Sequence, residues 1–171
     1  MTKKLLGVLT PIAAVAATLL PVSPAAASGD SVINPPGHYG LATWVSAPRC
    51  LVVLANGSRG SLATLTQCGN YDDQSWSVPA ANTTGEIRNK FFGSNGCLTV
   101  QTNNPGAQAF VYTCTGLADQ QWSAIPVPGG NGSVWYQKAG TTQCLVVQGN
   151  TEGAVAMQYD CGYYKDQYWQ A

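Results

Sequence analysis

One pattern occurs three times in this 171-residue chain and limits its fold more than any other feature. Cys-Leu pairs begin at Cys50, Cys97 and Cys144, and a second cysteine follows at Cys68, Cys114 and Cys161. The strings "DQSW", "DQQW" and "DQYW" then end at Trp76, Trp122 and Trp169. Equivalent residues are 46 or 47 positions apart throughout, and the second cysteine precedes the motif glutamine (Gln74, Gln120, Gln167) by six residues each time. Three features in phase at one period mean three copies of one structural unit.

Each copy reads as β-structure. The runs "CLVVLA", "CLTVQT" and "CLVVQG" are short and β-rich, as are "LATLTQC", "AFVYTC" and "AVAMQYDC". They are separated by "NGSRGS", "NNPG" and "GNTEG", whose Gly, Asn and Pro content marks turns. Upstream runs "YGLATWV", "GEIRNKF" and "GSVWYQK" bring the count to about four strands per unit, each near the usual strand length. No helical periodicity is evident. Three antiparallel units gain by closing on themselves and removing exposed edges, so a closed threefold all-β architecture is expected.

All six cysteines fall inside the repeats, and an even count in an exported chain indicates disulfides. Zinc is the rival. However, the spacing holds no Cys-x-x-Cys pair, and the only histidine, His38, precedes the first cysteine. Six cysteines permit fifteen pairings. Three equivalent units share one arrangement most simply as Cys50–Cys68, Cys97–Cys114 and Cys144–Cys161. Closing loops of this size contributes about 3 kcal/mol each on loop-entropy grounds.

The chain opens with Lys3 and Lys4, an apolar run from Leu5 to Val22, and the small residues Ala25-Ala26-Ala27. This is the pattern of a secretory signal cleaved after Ala27, and Pro11 and Pro21 make the run a poor membrane span. Residues 28–38 then form a lead-in segment, and residues 39–171 a single domain with repeats at about 39–79, 80–126 and 127–171. Without the leader, six basic residues face eight acidic ones and no Lys/Arg cluster remains. That excludes phosphate-neutralising nucleic-acid binding and a polybasic membrane patch. A secreted, extracellular monomer with no cofactor and no membrane insertion is expected.

Three phased "CL…C…DQxW" units resemble the ricin B-type lectin domain, a β-trefoil with a Gln-x-Trp motif in each repeat. The resemblance spans about residues 39–171. It implies twelve strands in six hairpins with pseudo-threefold symmetry, and sugar binding at up to three shallow sites. It also places an aromatic two residues before the second cysteine, where Thr66, Tyr112 and Tyr159 stand. The carboxylate of the family's galactose-binding repeats follows the Cys-Leu pair, but here those positions are Val52, Thr99 and Val146. The family's glutamine upstream of the aromatic is replaced by Thr64, Phe110 and Met157.

The motif therefore divides by role. Each tryptophan is expected to anchor the core, and each glutamine to satisfy backbone groups in an irregular turn. The aspartates (Asp73, Asp119, Asp166) read equally as turn residues or as sugar contacts. The candidate carbohydrate-binding residues are Tyr112, Asp119 and Gln120 in repeat two, and Tyr159, Asp166 and Gln167 in repeat three. A lost carboxylate matters, because a charged hydrogen bond contributes about 1.5–3 kcal/mol and a millimolar site has only about 4 kcal/mol in total. Catalysis has little support. His38 stands outside the repeats, and Asp72–Asp73 are neighbours in one turn rather than acids flanking a cleft. The expected function is a non-catalytic module binding polysaccharide or cell-surface glycan through weak, combined sites. The alternative is a trefoil that binds a protein through an apolar patch at Val52, Val146 and Met157. Sequons at Asn56, Asn82 and Asn131 carry meaning only if the source glycosylates.

Overall fold

A computed structural model of the protein describes residues 49–53, 58–69, 71–130, 132–149 and 151–169. The leader (1–27), the lead-in segment (28–38), the first strand expected for repeat one and the sequons at Asn56 and Asn131 lie outside the described residues.

The strands are β1 (Arg49–Val53), β2 (Ala63–Gln67), β3 (Trp76–Ser77), β4 (Thr84–Glu86), β5 (Arg88–Asn89), β6 (Gly96–Thr99), β7 (Phe110–Thr113), β8 (Gln121–Pro126), β9 (Val134–Lys138), β10 (Gln143–Val147) and β11 (Ala156–Asp160). Every pairing between them is antiparallel. The three Cys-Leu runs form β1, β6 and β10, and each pairs with the run that follows it. The registers place Cys50 opposite Thr66, Cys97 opposite Tyr112 and Cys144 opposite Tyr159. β4 and β5 are one strand interrupted at Ile87, where the chain leaves β8 to join β3 and β6. The last strand of repeat three is reduced to a single bridge between Val134 and Trp169.

A β-trefoil results, with the three Cys-Leu hairpins meeting around an axis. Ala63, Ala109 and Ala156 occupy equivalent buried positions there. The Ala63 N–H donates to the Ala109 carbonyl at 2.9 Å, and the Ala109 N–H donates to the Ala156 carbonyl at 2.8 Å. A methyl group at each position lets three backbones approach this closely, and a larger side chain would overpack the junction. Around it lie Leu51, Leu98 and Leu145 from the Cys-Leu pairs, with Trp76, Trp122 and Trp169. Each indole removes about 150–250 Å² from water, which at about 25 cal/mol per Å² is several kcal/mol. The symmetry is imperfect. Where repeats one and two bury Leu65 and Val111, repeat three buries Gln158, whose Nε2 donates to the Thr102 and Asn104 carbonyls at 2.7 and 2.9 Å.

The disulfides pair within each repeat as expected, with Cα–Cα distances of 4.9, 5.0 and 4.9 Å. Each bridge ties the start of its hairpin to the chain just beyond the hairpin's end. That is also where the DQxW turn begins.

Candidate functional site

The DQxW strings are 3₁₀ turns: Asp72–Gln74, Ala118–Gln120 and Lys165–Gln167. A three-residue turn is too short to leave a periodic signal in the sequence, so only its turn chemistry was legible. The glutamine closes each turn onto the disulfide. The side-chain oxygens of Gln74, Gln120 and Gln167 accept from the N–H of Gly69, Thr115 and Gly162, each just past the second cysteine, at 2.7, 2.7 and 2.8 Å. Their Nε2 atoms donate to the carbonyls of Gln67, Thr113 and Asp160, each just before that cysteine, at 3.1, 2.7 and 2.8 Å. One buried amide therefore satisfies a donor and an acceptor that flank the bridge. The tryptophan completes the unit. The Nε1 of Trp76, Trp122 and Trp169 donates to the carbonyl of Leu51, Leu98 and Leu145 at 3.0, 3.0 and 2.9 Å.

This geometry separates the motif residues. Gln120 and Gln167 are buried with both ends of their amides engaged. Asp73, Asp119 and Asp166 are half-buried at the rim of the turn, and in all three Oδ1 is buried without a hydrogen-bond partner. Burial pushes the Asp73 and Asp166 carboxyls above their usual range, against hydrogen bonds from backbone N–H groups. Lys138 lies within the field of Asp119. The Lys138 ammonium is buried, donating to the Val100 and Thr102 carbonyls at 2.5 and 2.8 Å. Burial lowers its pKa, and the Asp119 charge opposes that shift.

The positions after the Cys-Leu pairs do not face solvent. Val52, Thr99 and Val146 are 2%, 1% and 1% exposed. Thr99 donates to the Cys97 carbonyl and accepts from Gln120 Nε2, so its hydroxyl is spent inside the repeat. Val52 and Val146 are therefore not at the surface, whereas Met157 is half-buried.

The platform positions are unequal. Tyr112 and Tyr159 are 46% and 43% exposed. The Tyr112 ring is braced edge-on by Phe110 at 6.3 Å. Tyr159 heads an open depression of about 550 Å³, lined with it by Asp160, Cys161, Gly162, Tyr163 and Tyr164. The Tyr164 ring lies so close to the Gly162 backbone that a Cβ there would come within 2.5 Å of Cε2, so a side chain at that position would displace the ring. Trp135 supports Tyr163 edge-on at 5.2 Å. In repeat one, Thr66 occupies the platform position and donates to Glu152 Oε1 at 2.6 Å, while Arg49 donates to Glu152 Oε2 at 2.5 Å. These two bonds hold the Glu152 carboxyl below the usual carboxylate range.

Of the residues expected from the sequence, Tyr159 lies in the depression. Asp166 and Gln167 are not among its lining residues, and Gln167 holds Asp160 and Gly162 in place through its amide. Asp160, Tyr163 and Tyr164 were missed. Asp160 lies at the hairpin's end with its side chain accepting from Gln143 Nε2. Its adjacency to Tyr159 was the available signal. Among the described residues, the grouping of metal-ligand atoms at Glu86, Cys97 and Cys114 has both sulfurs in a disulfide, which removes the thiolates a metal would need.

Comparison with known proteins supports the same architecture. Curated proteins give no match to the sequence. Among solved structures, the chain is similar to ThreeFoil, a designed threefold-symmetric protein, at 22% identity and a TM-score of 0.65 over 72% of this chain and 90% of that one. A ricin B-like lectin from Macrolepiota procera, solved in complex with lactose, is 12% identical with a TM-score of 0.60, over 74% of this chain and 88% of that one. An agglutinin from Abrus precatorius is 22% identical with a TM-score of 0.56, over 71% of this chain but only 43% of that one. The family model described as the ricin-type β-trefoil lectin domain matches residues 41–169. With that match across three closed DQxW repeats, the chain belongs to the ricin-type β-trefoil lectin domain family.

Proposed function

We propose that this protein is a secreted, monomeric, non-catalytic carbohydrate-binding module that grips glycan chains through repeats two and three. The observation that carries the reading is the tyrosine-lined depression of repeat three, with Asp160 beside the exposed Tyr159. A tyrosine ring covers the apolar face of a pyranose, and a carboxylate accepts from its paired hydroxyls through charge-assisted bonds. Asp160 stands in for the acid absent at Val146. Repeat two offers the equivalent tyrosine, Tyr112, with Asp119 at its turn. Gln120 and Gln167 act by holding the turns. The solved complex of the Macrolepiota lectin with lactose supports a sugar as the ligand class.

Shallow sites of this kind are weak one at a time. Two on one rigid domain gain on a polymer by effective concentration. The test is co-sedimentation with insoluble polysaccharides alongside a glycan array, using the wild type, Tyr112→Ala, Tyr159→Ala and the double variant. The single variants are expected to weaken polymer retention and the double variant to abolish it. Retention unchanged in the double variant would overturn the reading, as would free monosaccharide competing as well as polymer.

A further inference from the structure

Each hairpin turn reaches across to the next repeat. The N–H of Gly60 donates to the Val111 carbonyl, that of Gly106 to Gln158, and that of Gly153 to Leu65, each at 2.7 Å. All three glycines have positive φ, +94°, +82° and +79°, so the backbone takes the same left-handed conformation at this position in each repeat. Every acceptor is the residue just before a platform position: Tyr112, Tyr159 and Thr66. The residue preceding each glycine (Arg59, Pro105 or Glu152) therefore stands at the wall of the neighbouring repeat's platform. Repeats three and one show how far such a side chain reaches, because Glu152 accepts directly from the Thr66 hydroxyl at 2.6 Å.

Arg59 occupies the equivalent turn position, one residue before the glycine bonded to Val111, which itself precedes Tyr112. It is exposed, and it makes no ion pair among the described residues. In repeat two, Glu86 is already bound to Arg88 at 2.5 Å and accepts from the Gly116 N–H at 3.1 Å. We propose that Arg59 of repeat one and Tyr112 of repeat two form one shared site, and that this site takes a carboxylated sugar unit, a uronate or a sialate. The guanidinium offers a planar fork of donors that matches a carboxylate, while the tyrosine ring holds the sugar face. Repeat three has the opposite character. Pro105 brings no charge and Asp160 repels an anion, so that depression selects a neutral sugar. The two open sites thus differ in charge preference, and the third is closed by Glu152. This inference rests on the carbohydrate reading of Tyr112.

The test uses ligand pairs that differ in the carboxylate: oligogalacturonate against its methyl ester, and sialyllactose against lactose. Titrations of the wild type, Arg59→Gln, Tyr112→Ala and Tyr159→Ala separate the contributions. The wild type is expected to prefer the acidic member of at least one pair, and the pair that responds identifies the carboxylate source. Arg59→Gln should weaken acidic ligands about tenfold, the size of one charge-assisted bond, and leave neutral ones unchanged. Acidic ligands bound equally by the wild type and Arg59→Gln would overturn the shared site. If Tyr112→Ala still weakened them, the platform reading would stand without it. No loss in either tyrosine variant would overturn the carbohydrate reading itself.

Discussion

Gln120→Glu tests the internal logic of the repeat without changing its shape. Gln120 is 1% exposed. Its oxygen accepts from the Thr115 N–H at 2.7 Å and the Thr115 hydroxyl at 3.0 Å, and its Nε2 donates to the Thr113 carbonyl at 2.7 Å and Thr99 Oγ1 at 3.1 Å. The substitution keeps the two accepted bonds and turns the donor end into an acceptor. The Thr113 carbonyl then faces an oxygen. The Thr99 hydroxyl can turn toward the new oxygen only by abandoning the Cys97 carbonyl. Two lost bonds at about 1 kcal/mol each, with an unsatisfied buried acceptor at about 1–3 kcal/mol, give a loss of about 3–5 kcal/mol at neutral pH. That is a large share of a typical total of about 5–15 kcal/mol. Burial and the facing carbonyl both raise the folded-state pKa of the introduced carboxyl. The deficit is therefore smallest below the unfolded carboxyl's pKa and grows as pH rises through the folded one. Protonation returns one donor, so about 1–1.5 kcal/mol of the gap should close in acid. Urea unfolding with disulfides intact, at pH 4 and pH 7, measures both quantities. A loss under about 1 kcal/mol at pH 7, or a gap that ignores pH, would refute the role assigned to the amide.

Three further outcomes follow from the same geometry. Trp122→Phe keeps a ring but loses the bond to Leu98, and should cost about 2–3 kcal/mol by thermal melting; a melting curve equal to that of the wild type would contradict the anchor. Asp166→Asn should raise the urea midpoint at pH 7 but not at pH 3. Burial raises the folded pKa of this acid, so the wild type loses stability as pH rises through it, and the amide does not. A variant weaker than the wild type at pH 7 would show that the charge is stabilised there instead. Glu152→Ala combined with Thr66→Tyr removes an exposed pair and should open a third platform. Retention on insoluble polysaccharide should then rise above wild type, and unchanged retention would argue against an open platform in repeat one.

Much of the fold was written in the chain. The 46- and 47-residue steps identify the three units, and the disulfides join the cysteines that this symmetry pairs. The tryptophans and Cys-Leu leucines fall in the core, as their apolar, in-phase positions require. These properties are local to one repeat, so spacing and residue type are enough to read them. The site was less legible for two reasons. Val52, Thr99 and Val146 occupy expected ligand positions, and only the packed structure shows them buried. Asp160 and Tyr163 serve the depression from outside the repeated pattern, because the other units carry Gln67 and Thr113, and Asn70 and Gly116, at those positions; Tyr164 recurs only once, as Tyr71 of repeat one, with Leu117 in repeat two.

What the sequence determined is which residues are equivalent. What tertiary structure decided is which repeats touch, and therefore which side chains share a surface. Thr66 and Glu152 are 86 residues apart yet hydrogen-bonded. The turn that carries Arg59 is joined to the strand that carries Tyr112 by a backbone bond from Gly60 to Val111. Periodicity cannot rank such contacts, because every repeat has the same spacing and the partner is fixed only when three hairpins close around the alanine axis. Closure gives each platform a different wall, and so lets three equivalent positions differ in chemistry.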